Sequence, residues 1–172
     1  MPGYRGRWKV IEEIEGIRVL RAWLFVSQGR GLFVRLLNYF SFVFSSFVVG
    51  LLNLRRSDVI FVESPPLFLG LSAMWLARAK RAKLVFNVSD LWPESAVQLG
   101  LVTNRTMIRA STWLEMKCYG RSALITGQTQ GIVRNITERC PQKRVVWIPN
   151  GVDLEAIAKA QATDPVAARA QL

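Results

Sequence analysis

The run Lys83-Leu84-Val85-Phe86-Asn87-Val88 stops abruptly at Ser89-Asp90, and Pro93 follows within three residues. A short apolar run bounded by turn formers reads as a buried strand. Its carboxyl end then delivers a charged side chain, Asp90, into a crevice, with a helix or turn starting at Pro93. In an open α/β sheet, ligands bind in the crevice outside the carboxyl ends of the strands. This stretch therefore demands a parallel sheet around it.

The rest of the chain supplies one. Ser57-Asp58-Val59-Ile60-Phe61-Val62-Glu63 reads as a strand ended by Ser64-Pro65-Pro66. Residues 67–80 carry apolar side chains at helical spacing and end in Arg78, Lys80 and Arg81, cations that suit a helix C-terminus. Strand, helix and strand thus fit in the length of a βαβ unit with a right-handed crossover. Residues 93–99 predict a short helix closed by Gly100. Thr103-Asn104 predict the cap of a longer one reaching Tyr119, with Gly120 as its stop. Residues 122–126 predict a third strand. Thr129 caps a helix bearing Ile132, Val133 and Ile136, and residues 143–148 predict a fourth strand. It ends in Pro149-Asn150-Gly151-Val152-Asp153. Each apolar run finishes in small, polar or turn-forming residues, which marks the carboxyl edge as the working edge.

The first thirty residues differ. Residues 8–13 and 17–23 alternate loosely on either side of Glu15-Gly16, which predicts a β-hairpin with one wet face, at the sheet edge or outside the sheet. Gly29 and Gly31 follow it and precede a helix, but Val34 stands where the dinucleotide fingerprint needs a third glycine, so a plain turn is the better reading. Residues 32–54 carry one charge, Arg35, within a run rich in Phe, Leu and Val. Arg30 and Arg35 on one side and Arg55-Arg56 on the other resemble interfacial anchors. Asn38, Ser41, Ser45, Ser46, Gly50 and Asn53 dilute the apolar run, and Ser41 and Ser45 share one helical face. Three readings stand open: a buried core helix, a helix lying on a membrane surface, and a true span.

Composition narrows the chemistry. The 172 residues suffice for one domain with a core. The chain has no histidine, which removes His-based triads and most zinc chemistry. Lys and Arg number 23 against 12 Asp and Glu, a formal charge of +11 that favours anionic partners. Nucleic acid is not expected among them, because the cations are scattered along the sequence rather than interleaved with aromatics. Cys118 and Cys140 are in no CxxC spacing and read as reduced thiols. No signal peptide is expected, because residues 2–7 are polar and turn-like with no apolar core behind them.

Glu63-Ser64-Pro65-Pro66, the string Val88-Ser89-Asp90-Leu91-Trp92-Pro93-Glu94-Ser95-Ala96-Val97, and Ile148-Pro149-Asn150-Gly151-Val152-Asp153 together resemble the N-terminal domain of family 4 glycosyltransferases. The likeness is to the bacterial enzymes of capsule, O-antigen and colanic-acid type assembly, of fucosamine-transferase-like kind. It covers the chain from Pro2 to about Glu155. The Asp-Leu-Trp-Pro-Glu-Ser string is specific; Pro-Asn-Gly-Val-Asp is common across the family.

The resemblance implies an α/β, Rossmann-like parallel sheet with flanking helices plus the N-terminal hairpin, as half of a GT-B fold. It implies retaining, metal-independent transfer from a nucleotide sugar to a polyprenyl-linked acceptor in cell-surface polysaccharide synthesis. No cofactor or metal is expected. The expected setting is cytoplasmic, peripheral at the inner face of the cell membrane, where an anionic surface would suit the charge and residues 32–54. Two departures stand out: the family's usual first strand-helix unit and its C-terminal donor-binding domain have no counterpart here. Residues 1–154 are thus expected to be an incomplete acceptor-side domain and 155–172 a truncated hinge, inactive alone. The alternative is a non-catalytic membrane-associated α/β binding module.

Within that frame Asp90 is the candidate catalytic group, hydrogen-bonding or orienting the acceptor hydroxyl; as a plain structural residue it would cap the helix at Pro93. Ser64, Pro65, Ser89, Glu94, Asn150 and Gly151 are the candidate substrate-binding residues. Ser64 and Pro65 would shape the crevice wall or simply turn the chain. Glu94 sits in a first helical turn, where its charge suits the dipole. Asn150-Gly151 is expected to form a hinge turn with one of the two at positive φ.

Overall fold

A computed structural model describes residues 6–27, 29, 31–100 and 102–161. Arg30 and residues 2–5 of the opening segment lie outside the described residues, as does the tail from residue 162.

The hairpin forms as the alternation requires. Strand β1 (Lys9–Ile14) pairs antiparallel with β2 (Ile17–Ala22) around Glu15-Gly16, both at positive φ (51° and 78°), the geometry of a tight hairpin turn. It stands as its own two-stranded sheet. Among the described residues β2 pairs with β1 alone, so the strand before Gly29 and Gly31 belongs to no βαβ unit there. The dinucleotide context is therefore missing.

Helix α1 (Leu32–Asn53) follows. The next elements are β3 (Val59–Ser64), α2 (Leu69–Lys80), β4 (Lys83–Val88), α3 (Glu94–Gln98), α4 (Arg105–Arg121), β5 (Leu124–Gly127), α5 (Gln130–Arg139), β6 (Val145–Trp147) and α6 (Leu154–Gln161). Strands β3, β4, β5 and β6 lie side by side in chain order, all parallel. Right-handed crossovers that always step the same way put their helices on one face. The packing agrees. Val62, Leu84, Phe86, Val88 and Ile125 from one face of the sheet join Ala73 and Ala77 of α2, Leu114, Cys118 and Tyr119 of α4, and Ile132 and Ile136 of α5 in a single core.

Close approach within this core requires small residues at two points. A Cβ on Gly70 of α2 would lie 2.4 Å from Cys118 Sγ, and one on Gly127 would lie 2.9 Å from Ile132. The opposite face carries Val59, Phe61 and Glu63 of β3, Val85 and Asn87 of β4, and Leu124 and Thr126 of β5, since side chains alternate along a strand. Val59 and Phe61 are exposed there.

Helix ends follow the expected caps with one correction. Asn104 Oδ1 accepts from the backbone N–H of Thr106 (2.9 Å) and Met107 (3.1 Å), Thr129 Oγ1 accepts from Ile132 (3.2 Å), and Gly100 closes α3 at φ 68°. Gly120, expected to stop α4, lies inside it. The helix ends instead at Ser122, whose hydroxyl and N–H both reach back to the Cys118 carbonyl, at 2.7 and 3.1 Å.

Helix α1 is not a core helix: only 22% of its most apolar stretch is buried. Its polar residues instead bind the chain leaving the hairpin. Asn38 Nδ2 donates to the Phe25 carbonyl (2.7 Å), Phe25 N–H donates to Ser41 Oγ (2.9 Å), and Ser45 Oγ donates to the Trp23 carbonyl. A second side packs on α2. Phe40 meets Phe68 at 5.0 Å, Ser46 bonds Ser72 at 3.0 Å, Phe47 meets Trp75 at 5.5 Å, and Gly50 fits against Leu76.

Candidate functional site

At the carboxyl edge the parallel ladder continues one residue past the strands. Ser89 N–H donates to the Ser64 carbonyl (2.9 Å), Gln128 N–H to Val88 (3.2 Å) and Ile148 N–H to Gly127 (3.0 Å). This fixes which side chains meet. Ser89 shares the parity of Asn87, and Gln128 that of Thr126, so all four point to the face that α2, α4 and α5 leave open.

A polar relay results. Ser89 Oγ donates to Glu63 Oε1 at 2.6 Å, and Gln128 Nε2 donates to Ser89 Oγ at 2.6 Å and to Glu63 Oε1 at 3.3 Å. Asn150 Nδ2 donates to Gln128 Oε1 at 3.0 Å, and Trp147 Nε1 to the Gln128 carbonyl at 3.2 Å. Side chains from the ends of all four strands are thereby linked. One layer below, Thr126 Oγ1 donates to Asn87 Oδ1 at 2.7 Å, and both residues are buried. That pair is the floor under the relay. Glu63 is exposed, and its Oε2 accepts no hydrogen bond among the described residues.

Asp90 is near this relay in sequence but outside it. The chain bends after Ser89, and Asp90 Oδ2 accepts from Ser95 Oγ at 2.8 Å. It makes no backbone cap: the N-cap of α3 is Pro93, without a side-chain hydrogen bond. Asp90 is exposed, so the carboxylate faces solvent with its back braced against α3. Glu94 is exposed and bound from two sides, by Gln98 of its own helix and by Asn135 of α5, each at 3.4 Å.

The remaining predicted residues divide. Ser89 and Asn150 are in the relay. Ser64 has the opposite parity from Glu63 and is 2% exposed beneath the helices, so it shapes the wall from behind. Pro65 is exposed at the rim. Gly151 has open space where a Cβ would stand. Neither Asn150 nor Gly151 takes a positive φ, contrary to the expected hinge turn; the segment after β6 runs on without a turn, with Asn150 bonded to Gln128.

Glu63 and Gln128 are the members that the sequence reading did not single out as site residues. The signal for Glu63 was present, an acid alternating with Val59 and Phe61 at a strand end. Gln128 needed the β4–β5 register. Among the described residues no three His, Cys, Asp or Glu side chains come together as a metal-ligand group.

The amino edge is different in kind. A groove of about 1060 Å³ lies between α2 and α4, with Lys83, Ala123 and Lys143 from the starts of strands in its floor. Arg78, Arg81, Lys117 and Arg121 line it with Trp75 and Trp113, and no acid does. Cations scattered along the sequence are thus gathered in space with aromatics among them. Their scatter along the sequence is therefore no ground against nucleic acid once the chain is folded.

Residues 2–151 match the family described as glycosyl transferase 4-like domains. No curated protein matches the chain.

Proposed function

The chain belongs to the family of glycosyl transferase 4-like domains, and on that premise we propose that this glycosyltransferase uses the open carboxyl edge of its sheet to hold the acceptor. The observation that carries the reading is the relay Glu63–Ser89–Gln128–Asn150, which fixes a carboxylate at the mouth of the crevice with one oxygen that accepts no hydrogen bond among the described residues. Hydroxyl-rich acceptors need such acceptor atoms, and a carboxylate forms the stronger, charge-assisted kind of hydrogen bond. Asp90, braced by Ser95, offers a second carboxylate whose Oδ1 takes no bond among the described residues.

In this reading a nucleotide sugar is the donor and a polyprenyl-linked sugar the acceptor, in cell-surface polysaccharide synthesis of the capsule or fucosamine-transfer type. Asp90 and Glu63 orient the attacking hydroxyl. The bond from the anomeric carbon to the donor phosphate breaks as the bond to the acceptor oxygen forms on the same face. The acceptor proton passes to the leaving phosphate oxygen, so no metal or side-chain base is required. Ser89, Gln128 and Asn150 position Glu63 rather than react. Glu94 and Pro65 would border the acceptor, Ser64 would back the wall, and Gly151 leaves the floor open.

The test is equilibrium dialysis with a labelled short-chain polyprenyl diphosphate sugar. The chain is expected to bind it saturably, and Glu63→Gln and Asp90→Asn are each expected to weaken binding by about tenfold or more, the worth of one charge-assisted hydrogen bond. Absence of saturable binding, or undiminished binding in both variants, overturns the reading.

A further inference from the structure

Helices α2 and α4 run against the parallel strands they connect, so both deliver their C-terminal turns to the amino edge of the sheet. Those turns carry cations. Arg78 and Arg81 come from the end of α2, Lys117 and Arg121 from the end of α4, and Lys83 from the first position of β4. All of them are exposed and line one groove. A helix C-terminus carries about half a negative charge, so the two ends together answer only about one of these cations. The last carbonyls of α4 are also already met by Lys143, which donates to Gly120 at 2.6 Å and to Ser122 at 3.0 Å. Among the described residues no acid lines the groove, and none pairs with Arg78, Arg81, Lys83 or Arg121. Cations held side by side in this way focus a positive field on the groove, and an anion seated among them relieves their repulsion.

The two helices repeat one device. On α2, Trp75 stands three residues before Arg78; on α4, Trp113 stands four before Lys117 and Lys117 four before Arg121. Spacings of three and four put each tryptophan and its cations on one helical face. Each helix thus presents an indole first and cations beyond it, toward the amino edge. Both indoles are open to solvent, Trp75 at 48% and Trp113 at 60%, and Lys117 Nζ lies 5.6 Å from the Trp113 ring centre. The groove between them, at about 1060 Å³, is slightly larger than the pocket that encloses one small molecule, about 300–1,000 Å³, and fits an extended ligand.

We infer that the groove between α2 and α4 binds single-stranded nucleic acid, with backbone phosphates on the cations and bases stacked on Trp75 and Trp113. A single strand offers both things the groove asks for, a row of negative charges and flat rings free to stack. A duplex offers the phosphates, but its bases already stack on one another. An acidic protein segment offers carboxylates and leaves the indoles without a partner. No Asn, Gln, Asp or Glu side chain lines the groove among the described residues, so adenine and cytosine edges meet none of the side chains that usually read them, and binding depends little on base sequence. The groove opens at the amino edge and the Glu63–Gln128 relay at the carboxyl edge, so this ligand and the acceptor do not compete for one place.

The test is fluorescence anisotropy of labelled oligothymidylate and oligouridylate titrated with the chain over a series of salt concentrations; the tighter of the two tells whether DNA or RNA is the ligand. With one phosphate on each of Arg78, Arg81, Lys83, Lys117 and Arg121, the logarithm of affinity is expected to fall with that of salt at a slope of about −3.5, at about 0.7 per phosphate of a single strand. Arg78→Glu with Arg121→Glu is expected to flatten the slope to about −2. Trp113→Ala is expected to weaken binding by about tenfold or more through lost stacking. Trp113→Phe, which keeps an aromatic face, is expected to fall between that variant and the parent. Circular dichroism and melting of each variant establish that it is folded. Absence of saturable binding to both oligomers overturns the proposal, as does a duplex that binds as tightly as the single strand. Undiminished affinity in Trp113→Ala also overturns it, and displacement of the oligomer by polyglutamate at equal charge would then assign the groove to an acidic protein segment.

Discussion

Gln128 Nε2 lies 2.6 Å from Ser89 Oγ, joining the carboxyl ends of β4 and β5 through side chains as well as backbone. Asp90, the next residue along, does not take part. On a strand, neighbours point to opposite faces, and the chain has bent away by Asp90. The most conspicuous acid in the sequence therefore stands beside the relay, and Gln128 is its central link.

Replacing Gln128 by Ala disconnects Asn150 from Glu63. Acceptor affinity is expected to fall by about tenfold, while stability falls by about 1–2 kcal/mol, because the lost hydrogen bonds are partly solvated. Equilibrium dialysis and urea denaturation on the same sample separate the two effects.

Much of the fold was legible before the structure. Asn104 and Thr129 announce their helices by local chemistry, Gly100 ends α3, and each strand stops at a small or turn-forming residue. What escaped depended on register or space. Gln128 becomes a site residue only when Val88 is paired with Gly127. Arg78, Arg81, Lys117 and Arg121 look dispersed until α2 and α4 lie side by side. The apolar run of α1 gives its length but not its burial, which is set by how few elements pack on it. Gly120 was misread because a serine two residues on supplies the cap.

Gly70 marks a close passage between α2 and α4. Gly70→Ala places a methyl 2.4 Å from Cys118 Sγ and 3.2 Å from Phe86, an overpacked contact that is expected to cost about 1–3 kcal/mol. Adding Cys118→Ala removes the nearest obstacle. The double variant is expected to melt above the sum of the two single losses, as a double-mutant cycle by calorimetry will read.

Glu115 is 2% exposed and anchors a buried cluster: Tyr119 Oη donates to it at 2.9 Å, and Arg139 grips both carboxylate oxygens. Glu115→Ala leaves a buried phenol and a half-buried guanidinium without their partner. A loss of about 3 kcal/mol is expected in denaturant titration, the size seen when one side of a buried pair is removed.

Burial, and then the charge of Glu115, pushes the Cys118 thiol from its ordinary 9.0 up to about 12, and the Tyr119 phenol is raised by the same causes in the same order. An unfolded chain releases the thiol proton near 9, while the folded chain keeps it. Stability from this group is therefore intact below about 9 and is lost as pH rises toward about 12. Melting temperature is expected to fall across that window, and Cys118→Ala to flatten part of the fall. At pH 8 the native thiol is expected to resist a thiol-reactive dye until denaturant is added.

The most direct measurement of the central claim is an amide-resolved NMR titration of the ¹⁵N-labelled chain with the short-chain polyprenyl diphosphate sugar. The side-chain NH₂ signals of Gln128 and Asn150 report the relay itself. These two and the backbone amides of Glu63, Ser89 and Asp90 are expected to shift together and saturate at one ligand concentration. Shifts confined to residues of the amino-edge groove, with the Gln128 and Asn150 side chains unmoved, would contradict it.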